Sequence, residues 1–139
     1  MKKFVSTLLV FALMFVLSTS AFASKGYADT KETAVELNGL SQAGSFLDYQ
    51  DSDFYKYTNN TGRTIVLNFV VEPQVSFINY DIRGYFPNGD ILTAKDQGAG
   101  NKDIIYDVEL QPGEVIYLEI KGHTVRDFGR DAPYRIYYL

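Results

Sequence analysis

Three aspartates crowd into six residues of "LDYQDSDFYKYT" (residues 47–58): Asp48, Asp51 and Asp53, followed at once by Phe54, Tyr55 and Tyr57. Acid this dense at the mouth of an aromatic strand admits three chemistries. A hard cation such as calcium takes six to eight oxygens from carboxylates and carbonyls on a wrapping loop. A general acid–base pair needs two carboxylates facing a cleft at a set separation. The third reading is structural: aspartates before a strand tie down their own backbone as Asx turns and caps. The cation and the backbone tie both remain open on the residues alone. The acid–base pair does not, because nothing nearby supplies a nucleophile.

Other reactive types are sparse. His123 is the one histidine and cysteine is absent. Asp127 follows His123 by four residues and serines occur elsewhere, so a triad can be drawn on paper. The chain nevertheless lacks a Gly-x-Ser-x-Gly elbow to present the serine. "GAG" (residues 98–100) precedes no helix that could offer its N-terminus to a phosphate. "NNT" at Asn59 matches the glycosylation pattern. No catalytic residue and no enzyme activity is assigned.

The elements that must position these groups are β-strands. "RTIVLNFVVE" puts Ile65, Leu67, Phe69 and Val71 on one face, and Pro73 closes it. "VSFINYDIRGYF" sets Ile78, Tyr80 and Ile82 against Asn79, Asp81 and Arg83, and "PNGD" (residues 87–90) reads as a hairpin turn. "DIIYDVEL" alternates with Ile104, Tyr106, Val108 and Leu110 inward. "QPGE" turns the chain, "VIYLEIKG" alternates through Ile116, Leu118 and Ile120, and "YRIYYL" is a closing strand. An edge strand is expected at residues 34–37. About eight short strands at ~8–12-residue spacing, with no long helix, predict an all-β, antiparallel β-sandwich or barrel.

Residues 1–23 read as a signal peptide: Lys2 and Lys3, an apolar run from Phe4 to Leu17, and an Ala-Phe-Ala exit ending at Ala23. Residues 24–139 then form a single domain, secreted and extracellular, with no membrane attachment after processing. Losing Lys2 and Lys3 leaves 11 basic against 17 acidic residues, a net charge near −6. Basic residues are scattered and form no stripe, which excludes nucleic acid as a partner. Without cysteine there are no disulfides, so a core, with or without an ion, must hold the exported domain.

In order along the chain, "DTKETAVELNG", "DSDFYKY", "YFPNGDIL", "ELQPGEVIYLEIKG" and "APYRIYYL" resemble the motifs of bacterial pre-peptidase C-terminal domains, a family that includes the collagen-binding domains of clostridial collagenases. The resemblance covers nearly the whole mature chain. It implies a jelly-roll-like β-sandwich that is usually carried behind a secreted peptidase, and in the clostridial members a calcium-dependent collagen-binding module. Carried over residue by residue, it makes Asp29, Asp48, Asp51 and Asp53 the candidate calcium ligands, with Glu32 beside Asp29. The relatives' Glu-x-Glu-x-Asn-Asp run falls on "SKGYAD", where Ser24, Gly26 and Ala28 replace three ligands.

Tyrosines supply the other binding signal. In "YRIYYL", Tyr134, Ile136 and Tyr138 share one face and Arg135 and Tyr137 the other. Rings with polar tips beside a guanidinium suit a fibrous protein or a glycan, so Tyr134, Arg135 and Tyr137 are the candidate ligand-binding residues. The expected function is a secreted, non-catalytic binding module for an extracellular polysaccharide or protein. The alternative is an accessory or inhibitor protein of a separately encoded secreted peptidase. Oligomeric state is not legible in the sequence.

Overall fold

Two-residue alternation becomes, in three dimensions, two stacked sheets whose inward faces meet. The computed structural model describes residues 28–39, 42–46 and 48–139; the expected leader, residues 1–23, lies outside them. One 3-10 turn, Lys31–Thr33, precedes nine strands: β1 Val35–Glu36, β2 Gln42–Gly44, β3 Ser52–Thr58, β4 Ile65–Pro73, β5 Tyr80–Tyr85, β6 Ile91–Thr93, β7 Asp103–Leu110, β8 Val115–Gly122 and β9 Tyr134–Tyr138. They form a five-stranded sheet in the order β1-β3-β8-β5-β6 and a four-stranded sheet in the order β2-β9-β4-β7. Neighbours run antiparallel except β1, which lies parallel to the edge of β3. Only β5 and β6 are joined as a hairpin within one sheet. Every other connection between consecutive strands crosses to the opposite sheet, giving the jelly-roll-like, all-β sandwich expected from the strand spacing. No helix among the described residues is long and apolar enough to cross a membrane.

The core is filled from both inner faces. Ile116, Leu118 and Ile120 of β8 and Tyr80 and Ile82 of β5 are fully buried against Phe69, Val71 and Ile136. Phe46 stacks on Tyr134 with ring centroids 5.3 Å apart and meets the edge of Tyr80 at 5.2 Å. Such pairs add about 0.5–1.5 kcal/mol each beyond the area they bury.

The turns behave as their residues dictate. In "PNGD" the N–H of Phe86 bonds to the carbonyl of Asp90 at 2.9 Å, and Gly89 takes the left-handed φ of 97° that the turn demands. Asn59 of the glycosylation pattern is fully buried. Its amide donates to the carbonyls of Arg63 and Leu110 at 2.7 and 2.9 Å, so the side chain is a structural tie.

Two expectations are corrected. Strand β2 was not legible, because "QAG" carries no apolar alternation. In β7 the inward residues are Asp103, Ile105, Val108 and Leu110, while Ile104 is half-buried and Tyr106 is exposed. The cause is one extra residue. Leu67 pairs with Val108 and Phe69 with Ile105, so two steps on β4 face three on β7. Asp107 absorbs the bulge at φ 54°, and its N–H bonds to Asn68 Oδ1 at 2.8 Å.

Strand β9 lies between β2 and β4, and it buries Tyr134 and Ile136 completely. Those two side chains alone contribute roughly 3–6 kcal/mol, a large part of the ~5–15 kcal/mol that holds a small domain. Deleting residues 134–139 is expected to abolish cooperative melting, read by calorimetry. A soluble fragment with a sharp transition would place β9 at the periphery.

Candidate functional site

The first acidic cluster is assembled where β3 begins. Asp53 is the second residue of β3, and Asp51 lies just before it. The carbonyl of Ala28 accepts the N–H of Phe54 at 2.6 Å, which lays the segment carrying Asp29 along the strand's entry. Ala28 adopts φ 58° at this junction. One carboxylate oxygen from each of Asp29, Asp51 and Asp53 comes within 4.8 Å of the others, and Asp51 and Asp53 are only 8% and 7% exposed. Asp48 is not part of this group. Its Oδ1 accepts the N–H of Gln50 at 2.8 Å, the Asx turn open to an aspartate in this position. Glu32 sits exposed on the 3-10 turn, outside the group.

Asp53 is wired across the sandwich. The hydroxyl of Tyr134, on the opposite sheet, donates to Asp53 Oδ2, and the hydroxyls of Tyr134 and Tyr55 lie 2.8 Å apart. A Cβ at Gly44 would strike the Tyr134 hydroxyl and approach Asp53 Oδ2 to 2.9 Å, so position 44 must be glycine for this contact to form. Burial pushes the Asp53 carboxyl up to about 7; the Tyr134 hydrogen bond opposes that rise, and the neighbouring charges of Asp51 and Asp29 add to it. Burial likewise raises the Tyr134 hydroxyl far above its ordinary range. Three carboxylates held this close, in an all-oxygen setting, suit a hard divalent cation better than an imidazole- or thiolate-seeking one.

The structure separates the candidate contact residues. Tyr134 is fully buried and belongs to the core, because it faces inward with Ile136; it cannot touch a ligand. Arg135 is exposed and Tyr137 half-buried on the outer face of the four-stranded sheet. There Tyr137 pairs in register with Val70, and Val70 with Ile104. Lys102 lies 3.0 Å from the Tyr137 hydroxyl and 3.2 Å from Glu72. Tyr106, 65% exposed, extends this surface. Beside it a groove of about 260 Å³ is lined by Leu92, Lys95, Gln97, Lys102, Ile104 and Tyr106. Sequence alternation had turned Ile104 and Tyr106 inward, and only the bulge at Asp107 shows that they belong to this face.

The triad that can be drawn on paper is not assembled. Both oxygens of Asp127 are committed elsewhere: Oδ1 accepts the N–H of Asn79 at 3.0 Å, and Oδ2 accepts the N–H and hydroxyl of Thr124 at 2.8 and 2.6 Å. His123 turns its Nδ1 to Asp81 Oδ1, 2.9 Å away.

Two antiparallel-rich sheets in this order define a jelly-roll-like β-sandwich, and solved structures share it. The pre-peptidase C-terminal domain of collagenase from Bacillus anthracis superposes with a TM-score of 0.55 at 17% identity, covering 76% of this chain and 92% of that one. The resemblance read from the five motifs is thus borne out at the level of the fold. A mitogen from Yersinia pseudotuberculosis gives a TM-score of 0.48 at 10% identity over 74% of this chain and 86% of its own, too low to carry an argument. No family model and no curated sequence matches the chain.

The raised Asp53 carboxyl fixes the sign of a pH effect. Its folded-state value lies above the ordinary carboxylate value, so the neutral acid stabilises the fold fully at low pH, and that contribution is lost as pH rises through about 7. In chelator, the melting temperature is expected to fall between pH 5 and pH 8, the loss over that window amounting to at most about 3 kcal/mol. The raised His123 acts with the same sign, so Asp53→Asn is the control. This variant is expected to flatten the slope, and an unchanged slope would remove Asp53 as its source.

Proposed function

We propose that the protein is an exported, non-catalytic β-sandwich module that binds an extracellular polymer or protein partner and holds a calcium ion at Asp29, Asp51 and Asp53. The observation that carries the binding role is the outer face of the four-stranded sheet. Arg135 and Tyr137 of β9 and Tyr106 of β7 stand there, with Lys102 at the entry to β7, beside a groove. Aromatic rings with polar tips and a guanidinium supply contact area at low entropic cost. Asp127 is committed to Asn79 and Thr124 and does not orient His123, which pairs with Asp81 instead. The fold of the collagenase pre-peptidase C-terminal domain favours the same class of role.

For calcium, the support is the convergence of three carboxylates from two chain segments on one point. In this reading Asp29, Asp51 and Asp53 supply the charged oxygens, and Tyr134 fixes the Asp53 rotamer from behind. A bound ion would supply only charge neutralisation and cross-linking of residues 28–29 to the start of β3. Three carboxylates make a weak extracellular site, with a dissociation constant of ~10⁻⁴ to 10⁻³ M. At ~1 mM free calcium the linkage is roughly 0.4–1.4 kcal/mol, a melting shift of about 2–8 °C for a domain of this size. Thermal melts in calcium and in chelator are expected to differ by that amount in the wild type and to coincide in Asp51→Asn. Coincident melts for the wild type would sink the calcium reading.

The binding face is tested separately by co-sedimentation with insoluble collagen, chitin and cell wall. Arg135→Ala/Tyr137→Ala is expected to weaken capture on the order of tenfold, about 1.4 kcal/mol. Equal capture by the double variant would remove this face. Capture of a secreted peptidase in place of any polymer would select the accessory role.

A further inference from the structure

A second cluster lies apart from the first and draws on three different places in the chain. Asp81 sits on β5, Asp96 on the connection between β6 and β7, and His123 just beyond β8. One ligand atom from each falls within 4.8 Å of the other two. Backbone contacts fix the cluster: the N–H of His123 bonds to the carbonyl of Asn79 at 3.1 Å. Asp96 Oδ1 accepts from the Asn79 amide at 2.9 Å and from the N–H of Gly98 at 2.7 Å. That leaves Asp96 Oδ2 directed to the imidazole.

The imidazole faces a carboxylate on each side, and the two contacts are unlike. Nδ1 to Asp81 Oδ1 is 2.9 Å, a hydrogen bond that places the ring proton on Nδ1. Nε2 to Asp96 Oδ2 is 3.7 Å, beyond hydrogen-bond reach. A neutral ring with its proton on Nδ1 therefore turns a nitrogen lone pair toward a carboxylate oxygen across a gap. With metal–ligand bonds of ~2.0–2.2 Å, an ion in that gap would see its two donors at roughly 125°, a few tenths of an ångström from tetrahedral closure. Asp81 then takes the part that carboxylates commonly take behind metal-bound histidines, fixing the tautomer and the ring plane.

A second observation points the same way. Asn79 is only 8% exposed, and its Oδ1 is buried without a hydrogen-bond donor among the described residues. Leaving such an oxygen unsatisfied is costly, because it has lost its water without gaining a donor. It belongs to the same amide group whose nitrogen bonds Asp96, so the unsatisfied oxygen sits on a side chain already tied to the cluster. Asp96 and His123 are about two-fifths exposed, which gives an ion a path in.

We propose that His123 and Asp96, oriented by Asp81 and Asn79, form a binding site for a borderline divalent cation of the zinc type. The mixed nitrogen and oxygen donors separate it from the all-oxygen group at Asp29, Asp51 and Asp53, since imidazole selects zinc over calcium. This site does not rest on the calcium reading or on the binding face.

The test is calorimetric titration of the purified protein with zinc chloride and with calcium chloride, alongside His123→Gln, Asp96→Asn and Asp51→Asn. One zinc per chain is expected. Its affinity should fall at least tenfold in His123→Gln and in Asp96→Asn and stay unchanged in Asp51→Asn. Cobalt(II) is expected to give a visible absorption band in the wild type that His123→Gln abolishes. Zinc binding indifferent to His123→Gln, or lost equally in Asp51→Asn, would overturn the site. So would a wild type that binds no zinc; if His123→Gln then melts lower in chelator, His123 is an imidazolium clamp between two carboxylates.

Discussion

A hydroxyl group bridges the two sheets near one end of this sandwich, and much of the architecture is arranged around it. Tyr134 projects from β9 in one sheet and donates to Asp53 on β3 in the other, with the Tyr55 hydroxyl 2.8 Å away. In a cysteine-free domain no disulfide joins the sheets. A buried polar link is favourable only when each member is satisfied, because low dielectric strengthens a made bond and penalises an unmade one equally. The neighbours are chosen accordingly. Phe46 and Tyr80 pack around the Tyr134 ring, and Gly44 leaves room for its hydroxyl. Moving β9 by one residue would turn Tyr134 and Ile136 to solvent and Arg135 into the core, so this one contact also pins the register of the strand.

The same link connects the core to the acidic site. Asp53 answers to an apolar interior that favours its neutral form and to Asp29 and Asp51, whose charges push the same way. The Tyr134 hydroxyl opposes both by hydrogen-bonding the carboxylate. A divalent cation would oppose them more strongly, converting mutual repulsion among three acids into shared attraction. Fold stability and the proposed cation binding would thus draw on one electrostatic balance.

Local rules made much of the fold legible. Ile78, Tyr80 and Ile82, and Ile116, Leu118 and Ile120, alternate without interruption, and both sets are buried as read. The reading failed at β7 because a bulge inserts one residue and reverses the alternation beyond it. The tie between Asn68 and Asp107 that sustains the bulge spans 39 residues and leaves no periodic mark. In "YRIYYL" alternation divided the residues correctly, but it does not say which half faces solvent, so Tyr134 was placed on a contact surface. Among the aspartates, Asp48 became the Asx turn that its spacing allows. The approach of Asp29 to Asp51 and Asp53 depends on the backbone bond between Ala28 and Phe54, which residue types alone do not announce. The group of Asp81, Asp96 and His123 was invisible for the same reason, being made by long-range pairing across β5 and β8.

Topology gives the two acidic groups a common address. Ser52 and Asp81 both pair with Lys121, one from each side of β8, so the starts of β3 and β5 meet at the same end of the five-stranded sheet. Asp103 pairs with Val71 near the close of β4, and Pro73 with Tyr134 at the start of β9, which brings the matching end of the second sheet beneath it. The opposite end carries the turns at residues 59–62, 87–90 and 111–114. Folding therefore gathers carboxylates from positions 29 to 127 into one end of a small domain, and repulsion there grows as the chain compacts. Lys121, the His123 imidazole, Lys95 beside Asp96 and Arg126 beside Asp127 are cationic side chains at the same end. This end carries both donor sets, one all oxygen and one containing nitrogen, and donors so unlike would select different ions from the same medium.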